Sequence, residues 1–161
     1  MTSAPIVVVT GANRGIGFEI SRQLASRGAQ VVLTAEAWGW QGRGKKMVAQ
    51  DLTVQFQPLN VTSRNSISAL RDFLKRNYGL NVLINNAGII ANSDASGLEV
   101  DMETSASLET NALGPLHLSQ ALVPLLQLSK DARIVNIYRV IRAHSPKWKT
   151  ITPPIASRRQ P

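Results

Sequence analysis

Residues 5–20 read PIVVVTGANRGIGFEI, and this stretch decides the fold. A short β-branched run leads into a turn that contains Gly11, Gly15 and Gly17, and an amphipathic segment follows. A strand, a glycine-rich turn and a helix in this order are typical of a dinucleotide phosphate site, because small residues let the backbone approach the phosphates closely. The spacing is G-x-x-x-G-x-G, which differs from the general fingerprint G-x-G-x-x-G.

Strand-like and helix-like segments alternate along the rest of the chain. The pattern predicts five short strands of the kind buried on both faces of a parallel sheet. Their predicted positions are roughly 5–10, 30–34, 53–58, 81–85 and 133–137. Right-handed crossovers between such strands build an open, doubly wound α/β sheet, so we predict a Rossmann fold that is incomplete in its C-terminal part.

Three helices are predicted from apolar spacing. The first would bury the stripe Ile16, Ile20 and Leu24, and a helix after the third strand would bury Ile67, Leu70 and Leu74 with Ser63 or Asn65 as its N-cap.

The longest predicted helix runs from about Ser105 to Leu128. Pro115 and Pro124 are expected to kink or stop it, since proline cannot donate a backbone hydrogen bond. The apolar side chains expected on one side of this helix are Leu108, Ala112, Leu116 and Leu122.

The charge of this 161-residue chain is concentrated near its end. Residues 1–138 hold twelve Lys or Arg against ten Asp or Glu, whereas residues 139–161 hold six basic residues, no acidic one and four prolines. We therefore predict a nucleotide-binding domain over 1–138 and a basic, flexible tail over 139–161. A tail of this charge leaves nucleic-acid binding open as an alternative function, but no aromatic interleaving or known motif supports it.

The composition excludes several other kinds of site. The chain has no cysteine, so disulfides, thiolate catalysis and cysteine-ligated metals are excluded, and we expect no metal site. No apolar run approaches the length of a membrane span or of a signal-peptide core. The prediction is a soluble, cytoplasmic protein with no membrane partner.

A second motif, Asn85-Asn86-Ala87-Gly88 at the end of the fourth predicted strand, narrows the class. Together with the glycine spacing it resembles the classical short-chain dehydrogenase/reductase family. Further matches keep the family order, namely Asn60-Val61-Thr62, Thr110-Asn111-Ala112-Leu113-Gly114-Pro115 and Arg133-Ile134-Val135-Asn136-Ile137. The resemblance covers most of residues 5–137, and it is closest to carbonyl reductases.

The resemblance implies a set of cofactor-binding residues. Asn60 and Val61 would flank the adenine, although most members have Asp where Asn60 stands, and Ala87 and Gly88 would pack near the nicotinamide-side ribose. Around the pyrophosphate and the adjoining strand end the implied residues are Gly11, Asn13, Arg14, Gly15, Ile16, Gly17 and Asn85.

The choice between NAD and NADP depends on the residues after the second strand. An acid there would bind a ribose 2′-OH, and Glu36 lies slightly displaced from that place. Arg14 favours NADP, as do Arg43 and the pair 45–46, although all of these could be solvated surface charges. On balance the prediction is NADP, with NAD as the alternative.

The catalytic residues are where this chain departs from the family pattern. By resemblance, Asn111 would anchor a water in a proton relay, or else it would be only a capping or core amide. Members of the family have a Ser just after the fifth strand and a Tyr-x-x-x-Lys on the next helix. This chain has neither at the corresponding positions. The only tyrosines are Tyr78 and Tyr138, and Arg142 near Tyr138 cannot relay a proton.

The resemblance therefore implies NAD(P)H-dependent oxidoreduction of a carbonyl or alcohol small molecule. The missing residues predict a chain that is impaired or inactive in turnover, and a nucleotide-binding pseudoenzyme or truncated product is the alternative. An oligomer is possible, but the helix that usually builds the family dimer is incomplete in this chain.

Overall fold

A computed structural model describes residues 4–36, 52–77, 79–90 and 102–138. In these residues five parallel strands form one sheet in the order β3-β2-β1-β4-β5. The strands are β1 (Ile6–Thr10), β2 (Gln30–Ala35), β3 (Val54–Pro58), β4 (Val82–Asn85) and β5 (Arg133–Asn136). The doubly wound, five-stranded fold is thereby confirmed, and every strand ends within one residue of its predicted position.

In the described ranges, four α-helices flank the sheet. They are α1 (Gly15–Ser26), α2 (Arg64–Asn77), α3 (Met102–Leu108) and α4 (Gly114–Leu126), and a π-helical turn over Glu109–Leu113 joins α3 to α4. Ser63 caps α2, because its Oγ accepts a hydrogen bond of 3.3 Å from the backbone N–H of Ser66. The other predicted cap, Asn65, lies inside the helix.

Alternate residues of β1 belong to two separate cores, one on each face of the sheet. Val8 packs in the core that holds Leu70 of α2 and Leu118 of α4. Val7 and Val9 pack in the other core, which holds buried residues of α1 and β2. Because β1 is buried on both faces, its sequence is a continuous apolar run rather than an alternating one.

The predicted stripe of α2 is confirmed, since Ile67, Leu70 and Leu74 are all buried. The predicted stripe of α1 is wrong at its first member, because Ile16 is 65% exposed. Ile16 lies in the first turn of α1 and packs in neither core. The buried face of α1 is formed by its small residues, and Ile20 and Leu24 pack at its border.

The predicted stripe of the longest helix is wrong for three of its four residues. Leu108, Ala112 and Leu116 are exposed, and only Leu122 is buried. The π-helical turn changes the helical register between α3 and α4, so the 3.6-residue spacing does not run through it. The buried leucines of α4 are Leu118, Leu122, Leu125 and Leu126.

The two prolines act at the ends of α4. Pro115 lies in its first turn, where a missing N–H costs nothing, and Pro124 lies in its last turn, two residues before the helix ends at Leu126. No helix in the described ranges is long and apolar enough to cross a membrane.

Strand β5 lies at the edge of the described sheet. It pairs with β4, with Leu83 opposite Ile134, and all four of its residues are exposed. Beyond it, Ile137 and Tyr138 are also exposed, with Tyr138 at 83%. The predicted tail over 139–161 lies outside the described residues.

Candidate functional site

The strand order reverses between β1 and β4, and a large cleft opens above the carboxyl ends of these two strands. This cleft, called the main cleft below, has a volume of about 780 Å³. Ligands of doubly wound folds bind at such a reversal, because the loops there diverge to opposite sides of the sheet. The predicted cofactor residues that line it are Gly11, Asn13, Arg14, Gly15, Ile16, Asn60, Val61, Ala87 and Gly88.

Gly17 is buried beneath the main cleft rather than lining it. A Cβ atom at Gly17 would collide with the Asn86 side chain and lie 2.7 Å from the carbonyl oxygen of Gly11. Gly11 itself has a φ of +62°, and a Cβ there would lie 2.8 Å from the Cα of Ala87. These two glycines allow the turn after β1 to pack directly on the loop after β4.

Thr10 and Asn86 connect the same two loops by hydrogen bonds. The backbone N–H groups of Asn86 and Ala87 each donate to Thr10 Oγ1 at 2.9 Å. Asn86 Nδ2 donates to the carbonyl oxygens of Thr10 at 2.9 Å and of Gly11 at 3.2 Å. A third strand joins this network, because the N–H of Ala12 donates to the carbonyl oxygen of Thr34 at 2.9 Å.

Neither Thr10 nor Asn86 was among the predicted site residues. Both lie at the carboxyl ends of strands that turned out to be neighbours, so the sheet order is the signal that finds them. The sequence contains the Thr and the Asn, but it does not state that their strands are adjacent.

The N-terminus of α1 opens into the main cleft, and within the described part of the chain no side-chain cap covers its first backbone donors. Arg14 is the N-cap, but its side chain cannot accept a hydrogen bond from the first turn, and that turn contains no acidic residue. Gly15 follows with a φ of +58°, and a Cβ there would meet no atom within 4 Å. The partial positive charge of a helix N-terminus thus lies at an open, concave surface, which suits an anionic group.

The far end of the main cleft is bounded by the turn after β3. Asn60 Oδ1 accepts hydrogen bonds from the backbone N–H of Thr62 at 2.8 Å and from its Oγ1 at 2.7 Å. The N–H of Asn60 donates to Ser66 Oγ at 2.9 Å, which ties the turn to α2. An asparagine therefore holds the turn through its single acceptor oxygen where the family pattern usually has an aspartate.

Among the residues with described positions, one charged residue of each sign borders the main cleft. Arg14 and Glu36 both line it, Glu36 directly after β2. The other basic residues considered for a 2′-phosphate, Arg43, Lys45 and Lys46, lie outside the described residues.

Asn111 lies in the π-helical turn and holds the loop after β4. Its Oδ1 accepts from the backbone N–H of Ile89 at 2.8 Å, and its Nδ2 donates to the carbonyl oxygen of the same residue at 2.7 Å. Gly88 allows this approach, since a Cβ there would lie 3.2 Å from Asn111 Oδ1. The exposed carboxamide thus makes two hydrogen bonds with one residue of the loop after β4, and it is neither a helix cap nor a core amide.

Asn85, the eleventh predicted cofactor residue, is placed in a different cavity. A second cleft of about 320 Å³ lies between α4 and β5, and its lining includes Asn85, Asn111 and Tyr138. Asn85 is 3% exposed, and its Nδ2 donates to Asn136 Oδ1 at 2.9 Å and to Ser119 Oγ at 3.3 Å. Its Oδ1 is buried without a partner in the described part of the chain.

A third cavity, of about 380 Å³, lies at the amino ends of β1, β2 and β3, away from all predicted site residues. Among the residues that the structure describes, no group of three His, Asp or Glu side chains could hold a metal ion.

Comparison with known proteins agrees with this geometry. A family model described as short chain dehydrogenase matches residues 5–147. The chain is 38% identical over 156 residues to (+)-neomenthol dehydrogenase of Arabidopsis thaliana, covering 81% of this chain and 52% of the relative. It is 40% identical over 136 residues to carbonyl reductase 3 of Rattus norvegicus, whose name specifies NADPH, covering 82% of this chain and 48% of the relative. The chain thus spans about half the length of the relatives it matches.

The fold is also similar to solved structures. A metagenomic short-chain oxidoreductase in complex with NADP superposes with a TM-score of 0.77 at 30% sequence identity, covering 86% of this chain and 64% of that structure. The family match spans the glycine-rich turn, the Asn85–Gly88 motif and the π-helical turn, which are the segments that form the main cleft. This chain belongs to the short-chain dehydrogenase family.

Proposed function

We propose that the main cleft binds a nicotinamide dinucleotide, with NADP preferred, for oxidoreduction of a carbonyl or alcohol small molecule. The open N-terminus of α1 above Gly11 and Gly17 is the observation that carries this proposal. A pyrophosphate would be bound here by the backbone N–H groups and the dipole of the helix N-terminus. The glycine-rich turn lets it approach the backbone closely. The residues therefore fit the group that the family pattern implies.

The other predicted residues would receive the two ends of the cofactor. The turn at Asn60 and Val61 would flank the adenine, and Ala87 and Gly88 would face the ribose on the nicotinamide side. The loop that carries Ala87 and Gly88 is held in place by the hydrogen bonds of Thr10, Asn86 and Asn111. Those bonds form without any ligand, so the site is preformed and binding loses little conformational entropy.

NADP is preferred over NAD in this proposal for two reasons. Arg14 lines the cleft, and a guanidinium can bind a 2′-phosphate with two hydrogen bonds. One relative is an NADPH-named carbonyl reductase, and a solved structure of similar fold holds NADP. Glu36 opposes the preference, because a carboxylate near the 2′ position would repel a phosphate and accept from a free hydroxyl.

The proposal for turnover is more restricted. A bound NADPH would supply a hydride to a carbonyl carbon, and the oxygen would then need a proton from the protein or from water. In these 161 residues no tyrosine follows Tyr138. Tyr138 itself is exposed and lines the second cleft, and the first lysine after it in the sequence is Lys147. We therefore propose that the 161-residue chain binds the cofactor and reduces carbonyl compounds slowly or not at all.

Calorimetric titration of NADPH and of NADH into the purified chain tests the binding proposal. One-site binding of NADPH, tighter than that of NADH, is expected, and failure of both to bind would contradict it. A panel of aldehydes and quinones then tests turnover. Fast reduction that persists in Asn111→Ala and Tyr138→Phe would show that the restricted proposal for turnover is wrong.

A further inference from the structure

We infer that Gly114 is a positioning residue for the adenine end of the main cleft. Because it has no side chain, α4 packs directly against Val61 in the turn after β3, and this contact fixes the position of Val61. This inference rests on the proposed function, since it assigns the adenine to the turn that holds Val61. It concerns a residue that does not line the cleft.

The backbone at Gly114 does not require glycine. Its φ and ψ are both −56°, which is ordinary right-handed helix that any L-residue adopts. Glycine is less favourable than alanine inside a helix, because it loses more conformational freedom on folding. A glycine at the junction of the π-helical turn and α4 therefore needs a different reason.

The reason is lack of space. A Cβ at Gly114 would lie 2.9 Å from Val61 Cγ2 and 3.2 Å from Val61 Cβ, and it would also lie 3.2 Å from the carbonyl oxygen of Glu109. A separation of 2.9 Å is shorter than any relaxed carbon–carbon contact, so either Val61 or the helix must move. Gly114 is itself buried, which leaves the added methyl no other direction.

A displacement of Val61 would be transmitted to the main cleft. Val61 is 7% exposed, and it lines the cleft together with Asn60 and Thr62. Because Asn60 Oδ1 holds Thr62 by two hydrogen bonds, the three residues form one turn. Val61 cannot move away from the cleft into the core, so it would push this turn toward the space of the adenine.

The helix has little freedom to move instead. At its other side the π-helical turn is held by the two hydrogen bonds between Asn111 and Ile89. The buried leucines of α4 pack in the core beneath. One irregular turn thus supports both ends of the main cleft, Ile89 through Asn111 and Val61 through Gly114.

Gly114→Ala tests the inference, with calorimetric titration of NADPH and of the adenine-end fragment adenosine 2′,5′-bisphosphate. Affinity for both is expected to fall by the same factor, about tenfold, because the strain acts at the end that both ligands share. Gln120→Ala, an exposed change on the same helix, is the matched control and should bind as the wild type does. Folding is checked by thermal unfolding, and all titrations are made well below the midpoint.

Val61→Ala supplies the second arm, because it removes the methyl groups that an alanine at 114 would meet. The double variant Gly114→Ala/Val61→Ala should bind like Val61→Ala alone, which is non-additivity expected of two groups in contact. This arm decides the question even if Gly114→Ala alone does not fold. A double variant that binds about tenfold more weakly than Val61→Ala overturns the inference.

Two further outcomes separate this inference from the proposed function. If the wild type binds NADPH and a folded Gly114→Ala keeps wild-type affinity for the fragment, the positioning role is wrong and the function stands. If the wild type binds neither ligand, the proposed function fails first and the inference fails with it.

Discussion

The two sides of β4 differ in how firmly the loops above them are held. On the β1 side, Thr10 and Asn86 make four hydrogen bonds between the two loops, and Gly11 packs against the Ala87 backbone while Gly17 packs against the Asn86 side chain. On the β5 side, the strand is exposed at the edge of the described sheet, and Asn85 keeps a buried oxygen without a partner in the described ranges. Hydrogen bonds thus join the loops on the first side before any ligand binds, whereas the described residues of the second side leave this oxygen unpaired.

This difference separates binding from chemistry. Cofactor binding needs a concave site with backbone donors at a helix N-terminus. The glycine-rich segment and the pairing of β1 with β4 supply it. Proton transfer needs a positioned acid or base with a suitable pKa, which more distant elements must supply. The comparison predicts that damage on the β1 side removes binding, whereas damage on the β5 side leaves binding intact.

The largest effect is expected from Gly17→Ala. The new methyl collides with Asn86 and lies 2.7 Å from the Gly11 carbonyl oxygen, so the two loops must separate. Overpacking of this kind costs about 1–3 kcal/mol of unfolding free energy, and NADPH affinity should fall more than about tenfold. Urea unfolding and calorimetry measure the two effects, with the exposed Ser26→Ala on the same helix as control. Unchanged affinity in a folded variant would show that the loop contact does not shape the site.

Thr10→Val should have the next largest effect. The change keeps the shape of the side chain but removes the oxygen that accepts from the N–H groups of Asn86 and Ala87. Since Thr10 is buried, the unsatisfied donors should cost about 1–3 kcal/mol of unfolding free energy in urea. Thr10→Ser keeps the hydroxyl and is the matched control. Equal losses in both variants would point to the methyl group rather than to the hydrogen bonds.

Arg14→Ala probes the charge of the cradle. Loss of the guanidinium should weaken NADPH by about tenfold and NADH by much less, because only NADPH carries the 2′-phosphate. Glu36→Gln should act in the opposite direction and strengthen NADPH. Parallel titrations of both cofactors measure the ratio, and an equal loss for the two in Arg14→Ala would place the arginine at the pyrophosphate instead.

Asn136→Ala tests the β5 side. It removes the oxygen that accepts from Asn85 Nδ2, and we expect a loss of about 0.5–1.5 kcal/mol in unfolding free energy. NADPH affinity should remain that of the wild type, because Asn136 lines only the second cleft. A tenfold loss of NADPH affinity would mean that the two sides of β4 are coupled.

The smallest effect concerns the outer face of α1. Two hydrogen bonds from Arg22, with a third from Gln23, lower the pKa of Glu19 to about 2. A lowered pKa contributes stability above the ordinary value of 4.5, and this contribution is lost as pH falls from 4.5 toward 2. The exposed position screens the pair, so the loss is small. NMR titration of the Glu19 carboxyl measures its pKa, and Arg22→Gln should return this pKa toward 4.5.

Much of the fold could be predicted because it depends on local composition. The β-branched runs mark the strands, and the glycine spacing marks the first turn and helix. The buried face of α4 could not be predicted in the same way, since the π-helical turn changes the register between Leu108 and Leu116. A sequence shows apolar spacing, but the number of residues in one irregular turn depends on what that turn packs against.

The candidate site shows the same division. Residues that act by being small, such as Gly11 and Gly15, follow from their spacing in one segment. Residues that act between segments, such as Thr10 and Asn86, depend on which strands are neighbours. Asn85 lines the second cleft and Asn86 lines the main cleft, because consecutive residues leaving a strand point to opposite faces of the sheet.

Backbone amide NMR shifts during an NADPH titration test the central claim most directly. The largest shifts should fall on Gly15 and Ile16 at the start of α1, then on Val61, Thr62, Ala87 and Gly88, while Ile134 and Val135 of β5 stay unchanged. Shifts centred on β5, or on the amino ends of the strands around Gln30 and Thr53, would contradict the claim that the nucleotide binds in the main cleft.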